Sequence, residues 1–265
     1  MPHHDAGASV EVTAVVVGGA VVCFLAAYLW GVTWAARRRR RWPAWRTASA
    51  VAGVILVLVA VGPVGVAGHH DFVAHMWGHL LLGMLAPLLL VLSAPVTCAL
   101  RALPVSGARR LSAVLGSVPV RVVTHPVTAA TLNIGGLWLL YTTPLHGWMH
   151  SSTAVHVLVH AHVLLAGWVF AASILQADPT RHPVGHPARA VVLVAFLALH
   201  AILAKHVYAH PPLGVPAIEA QEGAQLMYYG GDYIDLVLIV LFCLDWYRRS
   251  APTTSTRGRR AAGVA

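Results

Sequence analysis

Apolar runs long enough to cross a bilayer, about 20 residues each, recur along the chain and are separated by short clusters of Arg, Pro, Gly and His. They predict membrane-spanning helices over 10–35, 47–67, 72–99, 123–142, 151–175, 188–208 and 225–247. The fourth run holds Asn133, Gly135 and Gly136, between Thr124-His125-Pro126 and Tyr141-Thr142-Thr143-Pro144. Without it the C-terminal half would invert. Pro87 and Pro95 fall inside the third run, where each removes a backbone donor and bends the helix. The fold class expected is an all-α integral membrane protein: a bundle of about seven transmembrane helices, N-terminus outside and C-terminus cytoplasmic. Residues 1–250 form one bundle domain, and 251–265 a disordered basic cytoplasmic tail.

Composition agrees with the pattern, because 58% hydrophobic and 10% charged residues are too apolar a balance for a water-soluble domain. Charge then orients the bundle. Short cytoplasmic loops retain Lys and Arg, and with the N-terminus outside, every one of the 18 basic residues except Lys205 falls on the inner side. The net charge of +9 is thereby accounted for by topology and anionic lipid heads, with no nucleic-acid partner. No basic region precedes the first run and no small-residue cleavage site follows it, so it is expected to stay as an anchor. Cys23, Cys98 and Cys243 are isolated in sequence, which points to packing residues and away from disulfides or a thiolate metal site.

The histidines change the picture most. Of 17, only His125, His182 and His186 are assigned to the inner side. His69, His70, His75 and His79 cluster between the second and third spans, and His146, His150, His156, His160 and His162 lead into the fifth. His200, His206 and His210 end the sixth. His75 with His79, and His156 with His160, are i,i+4 pairs, so each pair shares a helix face at ~6 Å and can chelate one ion. Met76, Met84, Met149 and Met227 lie in the same half, and thioether with imidazole suits copper, Cu(I) above all.

Asp71, Glu219, Glu222 and Asp232 are outer carboxylates placed to orient imidazoles or to solubilise loops, and Lys205 has Asp232 or Glu222 as an ion-pair partner. His200 alone in its span is expected to hydrogen-bond between helices. If Met1 is removed, His3 and His4 add a further way to hold Cu(II). The residues leave four readings open: a copper-handling assembly factor, a membrane cytochrome whose paired histidines ligate haem, a copper transporter, and a metal-free scaffold. Nothing resembles a hydrolase or a phosphate loop, so no enzyme is expected.

The stretch "HMWGHLLLGMLAPLLLVLSAPVTCALRALP" (75–104) closely resembles the signature of the multi-span CtaG family of cytochrome c oxidase assembly proteins, with its His-Met-x-x-His entry, mid-helix Ala-Pro and Leu-Arg-Ala-Leu-Pro exit. "VHVLVHAHVLLAGWVF" (155–170) and "AQEGAQLMYYGGDYIDL" (220–236) resemble two further segments of that family. The chain departs from the family pattern at Trp77-Gly78, Ala224 and Tyr228. The resemblance implies a multi-pass plasma-membrane protein of the respiratory chain that supports assembly of a haem-copper oxidase. It would act as a metallochaperone, with oxidase subunits and a soluble outer-side copper carrier as partners. Its metal ligands would be His75, His79, His156 and His160, with Met76 and Asp232 secondary.

Overall fold

The computed structural model describes residues 3–37, 41–180 and 182–250. The side chains of His3 and His4 and the basic tail at 251–265 lie outside the described residues. The described chain is helical, and six helices are long and apolar enough to cross a membrane. In chain order the elements are α1 (Ala8–Arg37), α2 (Ala44–Gly68), α3 (Phe72–Ala102), α4 (Val105–Leu115), α5 (Val118–Val123), α6 (Pro126–Thr142), α7 (Leu145–Ser151), α8 (Thr153–Leu175), α9 (His186–Ala209) and α10 (Ala217–Ser250). The protein is therefore a membrane-embedded helical bundle.

The predicted fourth span, 123–142, is α6, a helix of 17 residues opened by Pro126 at its first turn. It is shorter than the others because Thr124 and His125 form a turn before that proline. α6 lies against α8, where His162 Nε2 meets the Leu132 carbonyl at 3.1 Å. A Cβ on Gly136 would collide with that ring, so glycine is what admits it. One end of α6, at His125 and Thr128, shares a cavity of about 860 Å³ with Pro95 and Gln176. The other end brings Tyr141 to His75. Leu132 and Leu139 on α6 are exposed, as are Ile55, Leu165, Val194 and Val240 on α2, α8, α9 and α10.

α10 begins at Ala217, earlier than the expected 225, because Glu219 and Glu222 belong to its first turns and not to a loop. A carboxylate is stabilised at a helix N-terminus. α3 is interrupted twice, as its prolines predict. A π turn spans Leu81–Leu85, immediately before Pro87, which has no N–H to offer the Gly83 carbonyl. Gly167 of α8 approaches that carbonyl so closely that any side chain there would strike the backbone. Pro95 causes the second break: Ala94 takes a left-handed conformation (φ 49°), and the helix restarts at Pro95. The amides freed there are capped from afar, Val96 N and Thr97 N donating to Asp178 at 3.2 and 2.7 Å. Across the break, Tyr28 of α1 donates to the Ser93 carbonyl at 3.0 Å.

At the Arg-rich end, Arg46 and Arg101 lie over Trp42. Buried Arg189 of α9 donates to the Ile174 carbonyl and faces Asp245 of α10, which also holds His186 at 3.2 Å and Arg249 at 2.8 Å. His186 is thus an interhelical contact and not a loop residue. Cys98 is buried, while Cys23 and Cys243 are exposed; all three are free thiols.

Candidate functional site

At the opposite, His-rich end, α2, α3, α6, α7 and α8 enclose a cavity of about 40 Å³, room for an ion or a water or two. Its wall includes all four sequence-predicted histidines, His75 and His79 from α3 and His156 and His160 from α8. The two i,i+4 pairs therefore share one chamber, which spacing within each helix cannot show. His69, from the turn after α2, and His150 of α7 also line it, together with Tyr141 and Met149. Gly68 makes this possible, since a Cβ there would press on the His75 backbone at 3.1 Å.

Met76 is fully buried but points elsewhere: its sulfur accepts from Tyr141 Oη at 3.7 Å and its stem lies against Gly223 of α10. The thioether in the wall is Met149. Asp232 is exposed, away from the cavity. The Lys205 ion pair expected with Asp232 or Glu222 is not formed among the described residues; Lys205 Nζ lies 5.4 Å over the Tyr228 ring. Asp71 and Glu219 do not orient imidazoles. They cap α3, accepting from Val73 N at 2.8 Å and Phe72 N at 3.4 Å.

Hydrogen bonds fix which ring nitrogens are available. Buried Thr13 of α1 donates its one hydroxyl proton to the Ser9 carbonyl at 2.8 Å, and meets His156 Nδ1 at 2.6 Å. With the hydroxyl donating to the Ser9 carbonyl, His156 carries its proton on Nδ1, the tautomer that leaves a lone pair on Nε2. His160 Nδ1 donates to the His156 carbonyl at 2.9 Å, and His150 Nδ1 to the His146 carbonyl at 2.9 Å. Both likewise keep Nε2 as a lone-pair donor. His75 Nε2 meets Tyr141 Oη at 3.2 Å.

Rings of His156 and His160 stack at 4.2 Å, His69 and His156 at 5.0 Å, and His75 lies 5.3 Å from His146. Several nitrogens have no partner among the described residues: His69 Nε2, His79 Nε2, His200 Nε2 and both of His146. An unpaired buried polar atom is costly, so this end of the bundle presents donors in want of an acceptor or an ion. Outside the long helices, burial foremost and the neighbouring His150 next push His69 and His146 down to about 4. Both are neutral at neutral pH, the form that binds metal.

Among the described residues, no three His, Cys, Asp or Glu side chains are gathered tightly enough to hold an ion as they stand. The imidazoles ring the cavity, and closing on an ion requires their side chains to turn inward. His70 and His162 are exposed, and His206 and His210 stack on each other at 4.6 Å. His200 makes no hydrogen bond through Nε2, contrary to the expected interhelical role; its ring faces His79 at 6.0 Å. Thr13 and Tyr141 carry no signal in the sequence, because their part in the site comes from helix packing alone.

Residues 26–249 match the family model described as the cytochrome c oxidase caa3 assembly factor. An uncharacterised protein of Mycobacterium bovis and one of Mycobacterium tuberculosis are each 33% identical over 199 residues, which cover 70% of this chain and 29% of theirs. A Mycobacterium leprae protein is 31% identical over 193 residues, with the same shares. The chain thus spans about 29% of the length of the curated relatives it matches. No solved structure matches it.

Proposed function

Because the chain belongs to the cytochrome c oxidase caa3 assembly factor family, we propose that it holds copper at its His-lined cavity and assists its delivery to the oxidase. The observation that carries this reading is the single chamber shared by His75, His79, His156 and His160. Neutral imidazoles with free Nε2 atoms and the Met149 thioether are a soft set that suits Cu(I). Copper is the cargo, received from a soluble outer-side carrier and passed to oxidase subunits by ligand exchange. Because family membership points to assembly and the copper step is one of binding and release, the protein is not an enzyme.

The setting we infer is the plasma membrane, crossed seven times, with the cavity outside. α6 supports the seventh crossing, since its ends lie at the two opposite ends of the bundle and its exposed face carries Leu132 and Leu139. The gathering of arginines at the other end supports the orientation.

The test is copper content of the detergent-solubilised protein after Cu(I) loading, beside a variant with His75, His79, His156 and His160 all changed to Ala. Copper in the parent and none at the cavity in a folded variant, with oxidase maturation impaired in cells, is the expected result. A folded variant that matures oxidase normally would leave a metal-free scaffold as the better account, and a Soret band in the purified parent would favour haem.

A further inference from the structure

At the inner edge of the cavity, His79 of α3 meets one further buried imidazole, His200 of α9. His79 is 7% and His200 2% exposed, their ring centroids are 6.0 Å apart, and the planes are inclined by 24°. Nε2 of each is buried with no hydrogen-bond partner among the described residues. Two such nitrogens in a membrane interior are expensive.

The surroundings supply what a soft cation needs. Gly231 of α10 admits the His200 ring, to which a Cβ would come within 2.7 Å, and Met84 reaches the same glycine with its methyl end. Met84 belongs to the π turn that follows His79 along α3, so α3 brings its thioether to the same glycine as the His200 ring. The Asp235 carboxyl, one turn along α10 from Gly231, is 5% exposed and lines an adjoining cavity of about 30 Å³ with Met84 and Gly83. Two imidazoles and a thioether are neutral ligands, so a bound monovalent cation would carry its charge into the bundle. A carboxylate beside it balances that charge.

We propose that His79, His200 and Met84 form a second, inner holding position for Cu(I), next to the Asp235 carboxyl. An imidazole binds a metal in its own ring plane, at ~2.0–2.1 Å from the nitrogen, so from their near-parallel arrangement the two rings must turn their Nε2 atoms toward the ion to hold it. His79 lines the outer cavity and faces His200, so it links the two positions, and an ion can move inward by exchanging one imidazole at a time. This rests on the copper-handling reading of the outer cavity, and the experiment separates the two.

Full-length protein in detergent is titrated anaerobically with Cu(I) against a chromophoric chelator, and the bound metal is examined by X-ray absorption. The parent is expected to take two equivalents. His200→Ala should take one, and His156→Ala with His160→Ala should lose the outer equivalent while keeping an inner one. Met84→Leu, which preserves volume and apolarity, should remove sulfur scattering from the inner ion and guards against misfolding of the His200 variant. One equivalent in the parent, unchanged by His200→Ala and with no sulfur lost in Met84→Leu, overturns the inner position and leaves the outer one intact. No copper in the parent overturns both.

Discussion

Replacing Thr13 by Val keeps the shape of the side chain and removes the oxygen that holds His156. Thr13 is fully buried and its contact to His156 Nδ1 is 2.6 Å, so no water is placed to substitute. The Nδ1–H would be left without an acceptor, at ~1–3 kcal/mol for a buried donor. The ring escapes that cost by moving its proton to Nε2 or by turning, and either withdraws the Nε2 lone pair from the cavity. Loss of such a supporting partner lowers metal affinity ~10–100-fold, or ~1.4–2.7 kcal/mol. Thr13→Val is therefore expected to weaken Cu(I) binding by that factor in competition with a chromophoric chelator, while Thr13→Ser restores it. Parent-like affinity in a folded Thr13→Val protein would refute the assignment of His156 Nε2 as a ligand.

Gly167→Ala drives a methyl group into the Gly83 carbonyl and the Pro87 ring; overpacking of this kind should cost ~1–3 kcal/mol and lower Tm, and an unchanged Tm would mean that α3 and α8 lie further apart than described. Asp245→Asn removes the counter-charge from buried Arg189 and from Arg249, and the carboxylate that His186 contacts. Discounted for the 26% exposure of the Asp245 side chain, a loss of about 1–3 kcal/mol is expected, and a loss removed by 1 M salt in the parent would show the contact to be a surface one. His69 and His146 titrate near 4 when folded against 6.5 ordinarily, so the unfolded chain takes up protons first as pH falls. Stability of the metal-free protein should be full above pH 6.5 and decline toward pH 4, by up to ~3 kcal/mol for buried His146 and by less for half-buried His69. A Tm flat across that window would contradict the burial of His146.

The spans were legible because apolar length is a local property: 72–99 and 188–208 lie within α3 and α9 and match them to within three residues at each end. The start of α10 was not, since Glu219 and Glu222 resemble loop residues in sequence but stand in the first turns of the helix. The histidine pairs were legible for the same reason as the spans, their i,i+4 spacing being internal to one helix. What spacing withholds is the rotation of each helix against its neighbours. Met76 follows His75 directly, about 100° around α3, and that rotation places it on Gly223 while Met149, from a short helix elsewhere, faces the cavity. Asp232 and Asp235 exchange roles in the same way: three residues apart, the first is exposed and the second buried. Thr13 acts on His156 from 143 residues away, a relation no local pattern encodes.

The break at Ser93–Ala94 ties the completion of α3 to chain made much later. The amides of Val96 and Thr97 find their acceptor in Asp178, 82 and 81 residues downstream. At a synthesis rate of 5–20 residues per second, that is a delay of ~4–16 s, during which the last two turns of α3 have no cap while α6 and α8 are still arriving. The third helix is thus finished by the loop that follows the eighth, and biogenesis of the bundle acquires a sequence: the Arg-rich end of α3 locks only after α8 is in place. A nascent chain halted before residue 178 should expose that segment to membrane proteases, and one halted after it should not.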